Sequence, residues 1–371
     1  MEFNTIELKR AVSKLKPLIK TRTPLEVAKG ILYANGSMTA TDMTVHATLK
    51  VSTGLVPTDE TFIIPQSAFD AIGKVSAETT TIEYDANGYV TVMSGKFKAK
   101  FATYNPFEFP KFESNAEVLM RKEINLSGFM QNLKSVMYAV ATSENKGVMC
   151  GINIVADGKQ IKFAALDGFR AAMAFGEECS EQFSVTVPVG FWTMMMKFTT
   201  DEAETATLTV LSDNKSLSLS NENFTIQTRL LEGQFVDVTS IIAKVNQTKS
   251  ICVDRSELIT ALEMHSAAMK DNGKNNLIVF TVDAYNPEMP LLLSAHTQGS
   301  SFEYALPAEV SDIPGVFKIG FNATYITQAV KSLDSPTVLF KLDSPVSAAL
   351  IYKAEKPSMD VSLVLPVRIN E

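Results

Sequence analysis

The sequence has 371 residues, enough for two or three domains, and its 46% hydrophobic content can fill more than one core. Its formal net charge of −7 excludes a protein that grips nucleic acid through bulk positive charge, so either DNA is not a partner or positive charge is confined to one surface. No apolar run approaches the ~18 residues of a membrane span, and the first residues lack the apolar stretch of a signal peptide. The three cysteines, odd in number and far apart, argue against a disulfide framework and predict a reducing, cytoplasmic location.

The first third of the chain is predicted to contain two helices followed by antiparallel strands. An amphipathic helix should begin near Thr5, because apolar residues recur on one face over three turns. A second helix should carry Phe69, and Asn87-Gly88 signals a type I′ hairpin. These predictions rest on the apolar stripe Leu8, Val12 and Leu15, on Pro65 at a strand end, and on alternating strands at Thr81–Tyr84, Tyr89–Met93 and from Phe97.

The middle third repeats this order of elements. A helix is predicted to begin near Ser127, a second helix to carry Trp192, and a hairpin to turn at Ser212-Asp213-Asn214-Lys215. The residues that indicate this order are the stripe Phe129, Leu133 and Val136, Pro188 at a strand end, and strands at Leu208–Leu211, Leu217–Leu219 and from Phe224.

The last third repeats the order once more. Asp254 is a good helix N-cap, and Glu257 three residues later completes a capping box. A second helix should carry Tyr325, and Asp343-Ser344-Pro345 should turn a hairpin. The supporting residues are Leu258, Leu262 and His265 on the helix stripe, Phe321 at a strand end, and strands at Val338–Leu342, Ala348–Tyr352 and from Val361.

This faint repeat of about 120–135 residues predicts three α+β units, at 1–118, 122–247 and 249–371. Each unit would contain two helices and many strands, with antiparallel hairpins dominating. The alternative is a single loose α+β protein in which the similar spacing is a coincidence.

The residues that would carry catalysis or bind a metal are missing from the sequence. It has no phosphate loop, no dinucleotide fingerprint, no nucleophile elbow and no zinc motif. The three histidines lie in different units, the carboxylates are scattered, and His265 is best explained as a core residue. Met194-Met195-Met196 beside Trp192 is likewise best explained as core. We therefore predict no catalytic residue, no metal and no cofactor.

Basic residues fall opposite the apolar stripes of several predicted helices. Any one of them alone is ordinarily a solvated lysine or arginine. Their recurrence on corresponding helices of an acidic protein instead suggests a concentrated surface that faces phosphates. The residues are Arg10, Lys14, Lys74, Lys134 and Lys197.

Five segments, in order along the whole chain, resemble the bacterial sliding clamp, the beta subunit of DNA polymerase III holoenzyme. They are TATDMTV at Thr39–Val45, AALDGFRA at Ala164–Ala171, RLLEGQFVDVTSII at Arg229–Ile242, IGFNATYITQAVKSL at Ile319–Leu333 and LVLPVR at Leu363–Arg368.

The resemblance implies the DNA clamp fold, with three repeated domains per subunit. Two subunits would form a head-to-tail homodimeric ring, with helices lining the hole and antiparallel sheets outside. Such a ring encircles duplex DNA without sequence preference and serves as a processivity factor in DNA replication, with no catalysis of its own. A positive lining inside a negative exterior would account for the net charge.

The resemblance also implies partners and sites. The partners are duplex DNA, a second copy, the polymerase catalytic subunit, the clamp loader and other proteins with clamp-binding linear motifs; no membrane is involved. The peptide-docking pocket would comprise Met149, Leu166, Gly168, Phe169, Arg170, Ala171, Val236, Ser240, Ile241, Tyr325, Ser347, Leu363, Leu365, Pro366, Val367 and Arg368. Residues facing DNA would be Arg10, Arg22, Lys146 and Lys197, with Lys74 and Lys134 added by helix geometry alone. The dimer interface would include Phe97, Ala99, Ala268 and Met269.

Some positions depart from the family pattern. The family often has His where this chain has Phe169, Pro where it has Val236, and Arg where it has Ser240, so the pocket should be more apolar. At the expected dimer contact, Ala99 and Ala268 replace larger aliphatic residues. Rival interpretations are a phage-encoded or divergent clamp, a hydrolase with an unrecognised site, and a structural all-β assembly protein.

Overall fold

The computed structural model describes residues 1–52, 60–85, 87–112, 117–198, 205–211, 215–269, 276–356 and 360–369. The predicted turn residues Ser212, Asp213 and Asn214 lie outside these ranges. The described residues form seven α-helices: α1 (Thr5–Leu15), α2 (Phe69–Lys74), α3 (Leu126–Met137), α4 (Val189–Phe198), α5 (Val238–Ala243), α6 (Arg255–Ala268) and α7 (Ala323–Ser332). Short 3₁₀ turns occur at Lys16–Leu18, Glu26–Lys29, Gln66–Ala68, Pro106–Glu108 and Glu144–Cys150.

Asparagine and aspartate side chains cap the N-termini of α1, α5, α6 and α7. The Asn4 side chain accepts from the backbone N–H groups of Ile6 and Glu7, and Asn322 does the same at the start of α7. The Asp254 carboxylate accepts from Glu257 N–H at 2.9 Å, which satisfies a backbone donor that a helix start leaves unpaired. The helices predicted near Thr5, Ser127 and Asp254, and those carrying Phe69, Trp192 and Tyr325, are all confirmed.

The strands account for most of the remaining chain, and the predicted hairpin strands are confirmed. The first twelve are β1 (Glu2–Asn4), β2 (Gly30–Ala34), β3 (Ser37–Thr41), β4 (Val45–Lys50), β5 (Phe62–Pro65), β6 (Thr79–Asp85), β7 (Tyr89–Ser94), β8 (Phe97–Ala102), β9 (Val118–Asn125), β10 (Gly151–Asp157), β11 (Gln160–Leu166) and β12 (Arg170–Glu178). The others are β13 (Gln182–Pro188), β14 (Thr205–Leu211), β15 (Ser216–Ser220), β16 (Phe224–Arg229), β17 (Lys249–Asp254), β18 (Leu277–Asp283), β19 (Leu291–His296), β20 (Ser301–Leu306), β21 (Glu309–Ser311), β22 (Val316–Asn322), β23 (Thr337–Leu342), β24 (Ala349–Lys353) and β25 (Val361–Val364).

The strands form four sheets, whose described pairings are antiparallel. Two sheets have four strands, in the orders β1-β6-β7-β8 and β20-β19-β18-β22. One has eight strands, in the order β5-β2-β3-β4-β16-β15-β14-β9, and one has nine, in the order β13-β10-β11-β12-β25-β24-β23-β17-β21. Buried positions alternate with less buried ones along β7 and β18, which shows why these segments form strands with one face on a core.

The chain divides into two compact units. Unit 1 comprises residues 1–127 and 187–230, and unit 2 comprises residues 128–186 and 231–371. Unit 1 contains the sheet β1-β6-β7-β8 and the eight-stranded sheet. Unit 2 contains the sheet β20-β19-β18-β22 and nearly all of the nine-stranded sheet. The middle part of the predicted three-unit division, 122–247, contributes to both compact units, so that division stays a prediction about the repeat.

Each unit has its own aromatic core. In unit 1 the Tyr33 ring packs edge-on against Phe3 and stacks on Phe62, with ring centroids 5.3 and 5.0 Å apart. In unit 2, Phe280 and Phe321 are 5.4 Å apart. His265 lies in the unit 2 core with its Nε2 3.3 Å from the Leu277 carbonyl oxygen, and burial lowers its pKa. Its predicted core role is confirmed, as is that of Met194 and Met195 in unit 1, whereas Met196 is half-buried.

One strand register recurs three times. The residues that precede α1, α3 and α6 each face a threonine: Asn4 faces Thr79, Asn125 faces Thr205, and Asp254 faces Thr337. The residue two positions after each of these threonines pairs across two successive strands. Thr81 pairs with Met93, which pairs with Lys98. In the same way Thr207 pairs with Ser220, which pairs with Thr225, and Leu339 pairs with Tyr352, which pairs with Val361. Lys98, Thr225 and Val361 therefore occupy equivalent places on β8, β16 and β25.

A second set of equivalent positions follows from a shared turn. Asp42 N–H donates to Val45 O at 3.2 Å, Asp167 N–H to Arg170 O at 3.2 Å, and Thr297 N–H to Ser300 O at 2.9 Å. Three residues beyond these acceptors lie Thr48 on β4, Met173 on β12 and Glu303 on β20. In the two large sheets the equivalent positions pair directly, Thr48 with Thr225 and Met173 with Val361. β8 and β20 are edge strands among the described residues.

Candidate functional site

The candidate site in unit 2 is built around the turn that joins β11 to β12. The Asp167 carboxylate accepts from the backbone N–H groups of Phe169 at 2.9 Å and Arg170 at 3.1 Å. Gly168 has φ +93°, a conformation that L side chains rarely adopt. This tight turn directs Phe169 outward, and its side chain is 57% exposed.

The C-terminal segment runs beside this turn. β25 pairs with β12, so that Ala171 faces Leu363 and Arg170 faces Val364. Beyond the strand, Leu365 N–H donates to Phe169 O at 2.9 Å and Val367 N–H donates to Gly320 O at 2.8 Å. Main-chain hydrogen bonds therefore hold the segment in place while Leu365, Val367 and Arg368 remain exposed.

Helix α5 supplies further apolar residues. Leu166, Ala171 and Leu363 form a buried cluster with Val238 of α5, and Met149 packs against it. The Asp237 side chain caps α5 by accepting from Ser240 N–H, and the Ser240 hydroxyl and N–H lower the pKa of that carboxyl. Three of the residues predicted to line the pocket, Val236, Ser240 and Ile241, are exposed on or next to this helix. The structure thus brings together a buried apolar floor and an exposed apolar rim, a suitable surface for a peptide.

Arg170 lies under this rim rather than on it. Its side chain is only 7% exposed, and its Nε donates to Asp167 Oδ2 at 2.9 Å while Nη1 donates to Gln328 Oε1. The guanidinium carbon is 4.3 Å from the centre of the Tyr325 ring and 5.3 Å from that of Tyr138. Sequence reasoning missed both Tyr138 and Gln328. Tyr138 lies outside the segments that carry the resemblance, whereas Gln328 lies within the Ile319–Leu333 segment but was not among the positions assigned to the pocket.

Tyr325 and Ser347 complete the predicted pocket set. The Tyr325 ring stacks on Phe169, with centroids 6.4 Å apart and an interplanar angle of 27°. Ser347 is half-buried in the β23–β24 turn, where its hydroxyl lies 2.7 Å from that of Ser344. Pro366 is half-buried between the exposed Leu365 and Val367.

The basic residues predicted to face DNA are exposed in both units. In unit 1, Arg10, Lys14 and Lys50 line one cleft, and Lys14 Nζ donates to Phe198 O at 3.2 Å, at the end of the helix that carries Lys197. Burial and the neighbouring Arg10 charge lower the pKa of Lys14. Arg22 and Lys74 are exposed elsewhere in unit 1. In unit 2, Lys134 lines a cleft with Lys331 and Lys353, while the Lys146 ammonium lies near Gly168.

The four residues predicted at a dimer interface differ in exposure. Phe97 is 37% exposed at the start of β8, and Ala99 follows it on the same face. Ala268 is exposed at the end of α6, which packs against β20. Met269 is 9% exposed and belongs to the core of unit 2. A charged substitution at Met269 would therefore disturb that core directly.

Among the described residues, no cluster of His, Cys, Asp and Glu side chains has a geometry that could hold a metal ion. In the same part of the chain, no helix has the length and apolar character needed to cross a membrane.

Comparison with known proteins points to one family. Models of the DNA polymerase III beta subunit match the chain twice, the central domain at residues 123–237 and the C-terminal domain at residues 240–368. The beta sliding clamp of Staphylococcus aureus is 25% identical over 99% of both chains, and that of Synechococcus elongatus is 24% identical over 79% of this chain and 77% of its own.

Solved structures show the same fold. The beta subunit of the Streptococcus pyogenes DNA polymerase superposes with a TM-score of 0.89 at 17% identity, covering 99% of both chains. The DNA polymerase sliding clamp of Bacillus subtilis superposes with a TM-score of 0.87 at 19% identity, covering 100% of this chain and 99% of its own.

Proposed function

The chain belongs to the DNA polymerase III beta subunit family, the bacterial sliding clamps, and on that premise we propose how it engages DNA, peptides and a second copy of itself. It is a processivity factor, an accessory protein of DNA polymerase and not an enzyme. A closed ring cannot dissociate sideways from a long duplex, so its individual contacts with phosphates can stay weak and independent of sequence. Its action belongs in the bacterial cytoplasm, where replication proceeds.

The ring mechanism can be tested by changing DNA topology alone. The protein is loaded onto nicked circular DNA with the clamp loader and separated from free protein by gel filtration. We expect it to stay with the circle and to leave within minutes when a restriction enzyme linearises the DNA. The matched control is the same linear DNA with a tightly bound protein blocking each end, from which the loaded clamp should not dissociate. Equal retention on open linear DNA would contradict topological binding.

The apolar rim carries the docking proposal. Phe169, Ile241, Leu365 and Val367 are exposed around a buried floor, in a protein whose other apolar side chains largely fill cores. We infer that peptides of the Gln-Leu-x-Leu-Phe kind, from the polymerase, the clamp loader and other clamp-binding proteins, bury their Leu and Phe here. Each such side chain contributes roughly 1.5–3 kcal/mol if fully buried.

Point substitutions test this groove more cleanly than deletion of the C-terminus. Removing residues 365–371 would also remove the hydrogen bonds from Leu365 to Phe169 and from Val367 to Gly320. Leu365→Ala combined with Pro366→Ala keeps the backbone and should weaken a Gln-Leu-x-Leu-Phe peptide at least tenfold, about 1.4 kcal/mol, in calorimetric titration. Val316→Ala, an exposed apolar residue on β22, is the control and should leave affinity unchanged. Unaltered affinity in the double mutant would remove the basis for the groove.

The DNA-facing surface is proposed to comprise Arg10, Arg22, Lys74, Lys134, Lys146 and Lys197. All six are exposed, which suits contacts with phosphates that carry no sequence information. Removing any one of them should reduce the salt dependence of DNA binding by about one unit of log–log slope. A quadruple mutant can replace Arg10, Arg22, Lys146 and Lys197 with alanine. If this mutant slid on DNA like the wild type, the assignment of these residues to the DNA-facing surface would be wrong.

The dimer is proposed to form between β8 of one copy and β20 of the other. In the part of the chain that the structure describes, both are edge strands of four-stranded sheets, and an exposed edge readily pairs with another chain. The equivalent strands already pair in the two large sheets, β4 with β16 and β12 with β25. Applying their register sets Lys98 opposite Glu303 of the partner subunit, and Ala99 opposite Phe302 of the partner subunit. Opposite charges and apolar faces then meet along the junction, which supports the assignment of Phe97 and Ala99 to this interface.

A further inference from the structure

We propose that Lys146, in addition to its proposed contact with DNA, is the residue that recognises negative charge on the peptide bound in the candidate groove, and that Arg170 instead positions Phe169. This inference rests on the proposed docking function. It assigns a ligand chemistry to the groove, a peptide with a carboxylate close to its apolar anchor residues. Two sets of contacts within unit 2 carry it: those that enclose Arg170, and those that bring the Lys146 ammonium to the rim.

The enclosure of Arg170 leaves its charge poorly available to a ligand. Its guanidinium is paired with Asp167 at 2.9 Å, bonded to Gln328, and flanked by the rings of Tyr325 and Tyr138. A ligand carboxylate would have to displace these partners, and a buried Asp167 without its cation is costly. The planar guanidinium is suited to this combination of stacking and hydrogen bonding, which an ammonium cannot reproduce.

The same contacts link Arg170 to the groove surface. Asp167, held by Arg170, accepts from Phe169 N–H through its other carboxylate oxygen. Tyr325, which contacts the guanidinium, also stacks on the Phe169 ring. Both connections end at Phe169, so loss of the guanidinium should change how that ring is presented. Arg170 therefore acts on peptide binding through Phe169.

Lys146 reaches the rim on the outer side of the same turn. A methyl group on Gly168 would lie 3.7 Å from its Nζ, so the ammonium sits close over the glycine that precedes Phe169. The Lys146 side chain is exposed, while its loop is anchored: Lys146 N–H donates to Ser143 O at 3.0 Å, and Met149 O accepts from Ala141 N–H at 2.9 Å. The Lys146 ammonium thus lies next to the glycine that precedes Phe169 and is not buried by the protein.

The expected strength of this recognition is modest. An exposed ion pair contributes a factor of roughly two to five in affinity and weakens as salt screens it. Such a contribution selects among peptides that share the same Leu and Phe anchors and differ in neighbouring charge. It complements the apolar anchors, which supply most of the affinity.

The test compares matched peptides on matched variants. Gln-Leu-x-Leu-Phe peptides carry a single Asp before the motif, at x, or after Phe, and each has an Asn counterpart. Wild-type protein should bind at least one Asp peptide roughly two- to five-fold more tightly than its Asn counterpart. Lys146→Gln should reduce that ratio to about one and leave Asn-peptide affinity unchanged. Lys159→Gln, which removes an exposed lysine from the β10–β11 turn, should keep the ratio.

A double-mutant cycle tests the positioning role. Arg170→Lys should weaken the Asn peptide in the wild-type background but have no further effect in a Phe169→Ala background, and it should leave the Asp-to-Asn ratio unchanged. Melting curves of each variant check that the fold persists. The inference would be overturned if the wild-type protein showed no preference for any Asp peptide. It would also be overturned if the preference survived Lys146→Gln or was abolished by Arg170→Lys. If Leu365→Ala with Pro366→Ala leaves peptide binding intact, the groove itself is wrong, which is a separate failure.

Discussion

Tyr138 illustrates how a single residue below the groove can influence the behaviour of unit 2. Part of the residue is exposed, but its hydroxyl is enclosed and donates to Ser362 Oγ at 2.6 Å. Its ring also contacts the Arg170 guanidinium. Burial raises the pKa of Tyr138 to about 12, although the hydrogen bond to Ser362 and the nearby Arg170 charge act in the opposite direction. The neutral phenol is therefore the form that the folded protein favours.

This pKa predicts a loss of stability at alkaline pH. An unfolded tyrosine ionises near pH ~10, so the contribution of Tyr138 is fully present below that pH. It should decrease as the pH rises from ~10 towards the folded-state value of about 12. Tyr138→Phe should remove this part of the alkaline dependence in urea unfolding measured at a series of pH values. It should also cost roughly 1 kcal/mol at neutral pH, because the buried Ser362 hydroxyl loses its partner.

The Tyr138 titration has an internal control. Tyr352 also has a raised pKa, caused by burial, and it remains in the Tyr138→Phe variant. A spectroscopic titration of wild type minus variant should therefore isolate one late-ionising tyrosine. If the difference titrates near pH ~10, the hydroxyl is more accessible than its surroundings suggest.

At this scale the apolar pocket residues were easier to predict than the polar ones. Leu363 and Leu365 fall within a short segment whose order of residues resembles the family, so they could be assigned from sequence. Arg170 was also assigned to the pocket, but its burial beneath the rim was not foreseen. Its enclosure depends on Gln328, 158 residues away, and such a contact leaves no pattern in the local sequence.

At the scale of elements, helix starts are encoded locally and strand pairing is not. Asp254 lowers the free energy of α6 by satisfying the Glu257 N–H, and its carboxyl pKa is lowered first by the Ser256 hydroxyl and then by that N–H. Such caps could be predicted because all the partners lie within one turn. The pairing of β4 with β16 joins residues as distant in sequence as Thr48 and Thr225. The sequence of neither strand indicates which strand it pairs with.

The Asp254 cap predicts a pH-dependent helix start. Its pKa is lowered in the folded state, so its contribution is present above the ordinary pKa of Asp and is lost as the pH falls through the lowered value. Asp254→Ala should destabilise the protein by about 1 kcal/mol at neutral pH in denaturant unfolding. Asp254→Asn should retain most of the stability, as the natural caps Asn4 and Asn322 do, and lose the acid dependence. A pH dependence that persists in Asp254→Asn would assign it to another carboxyl.

At the scale of the whole molecule, repetition of pattern and compactness divide the chain differently. The sequence repeat predicted three units, whereas packing gives two compact units, because β4 joins β16 in one large sheet and β12 joins β25 in the other. A repeat in sequence records which elements are similar, while compact units depend on which sheets merge. Two such junctions are made within the chain, and the equivalent edges β8 and β20 remain for a third. We infer that β8 and β20 of one copy pair with β20 and β8 of a second copy, which closes a ring of two subunits.

The inferred register makes a charge-reversal prediction about the dimer. Lys98 and Glu303 are exposed, and the ion pair that Glu303 makes among the described residues is a loose one with the exposed His296, whose Nε2 lies 3.7 Å from its carboxylate. Lys98→Glu would oppose two carboxylates at each junction, costing about 1 kcal/mol per junction. Because a two-subunit ring has two junctions, the dimer dissociation constant should rise roughly ten- to thirty-fold in analytical ultracentrifugation. Glu303→Lys should have a similar effect, because it opposes two ammonium groups.

Combining the two reversals distinguishes this register from a general effect of charge. If Lys98 of one copy faces Glu303 of the partner subunit, Lys98→Glu with Glu303→Lys restores opposite charges and should return the dissociation constant to within about threefold of wild type. Lys318→Glu changes the net charge equally but lies on β22, the other edge of the β20 sheet, and should leave the dimer unchanged. Additive weakening in the double reversal would show that the two residues do not face each other. The register would then have to differ from that of the two large sheets, even if β8 and β20 still meet.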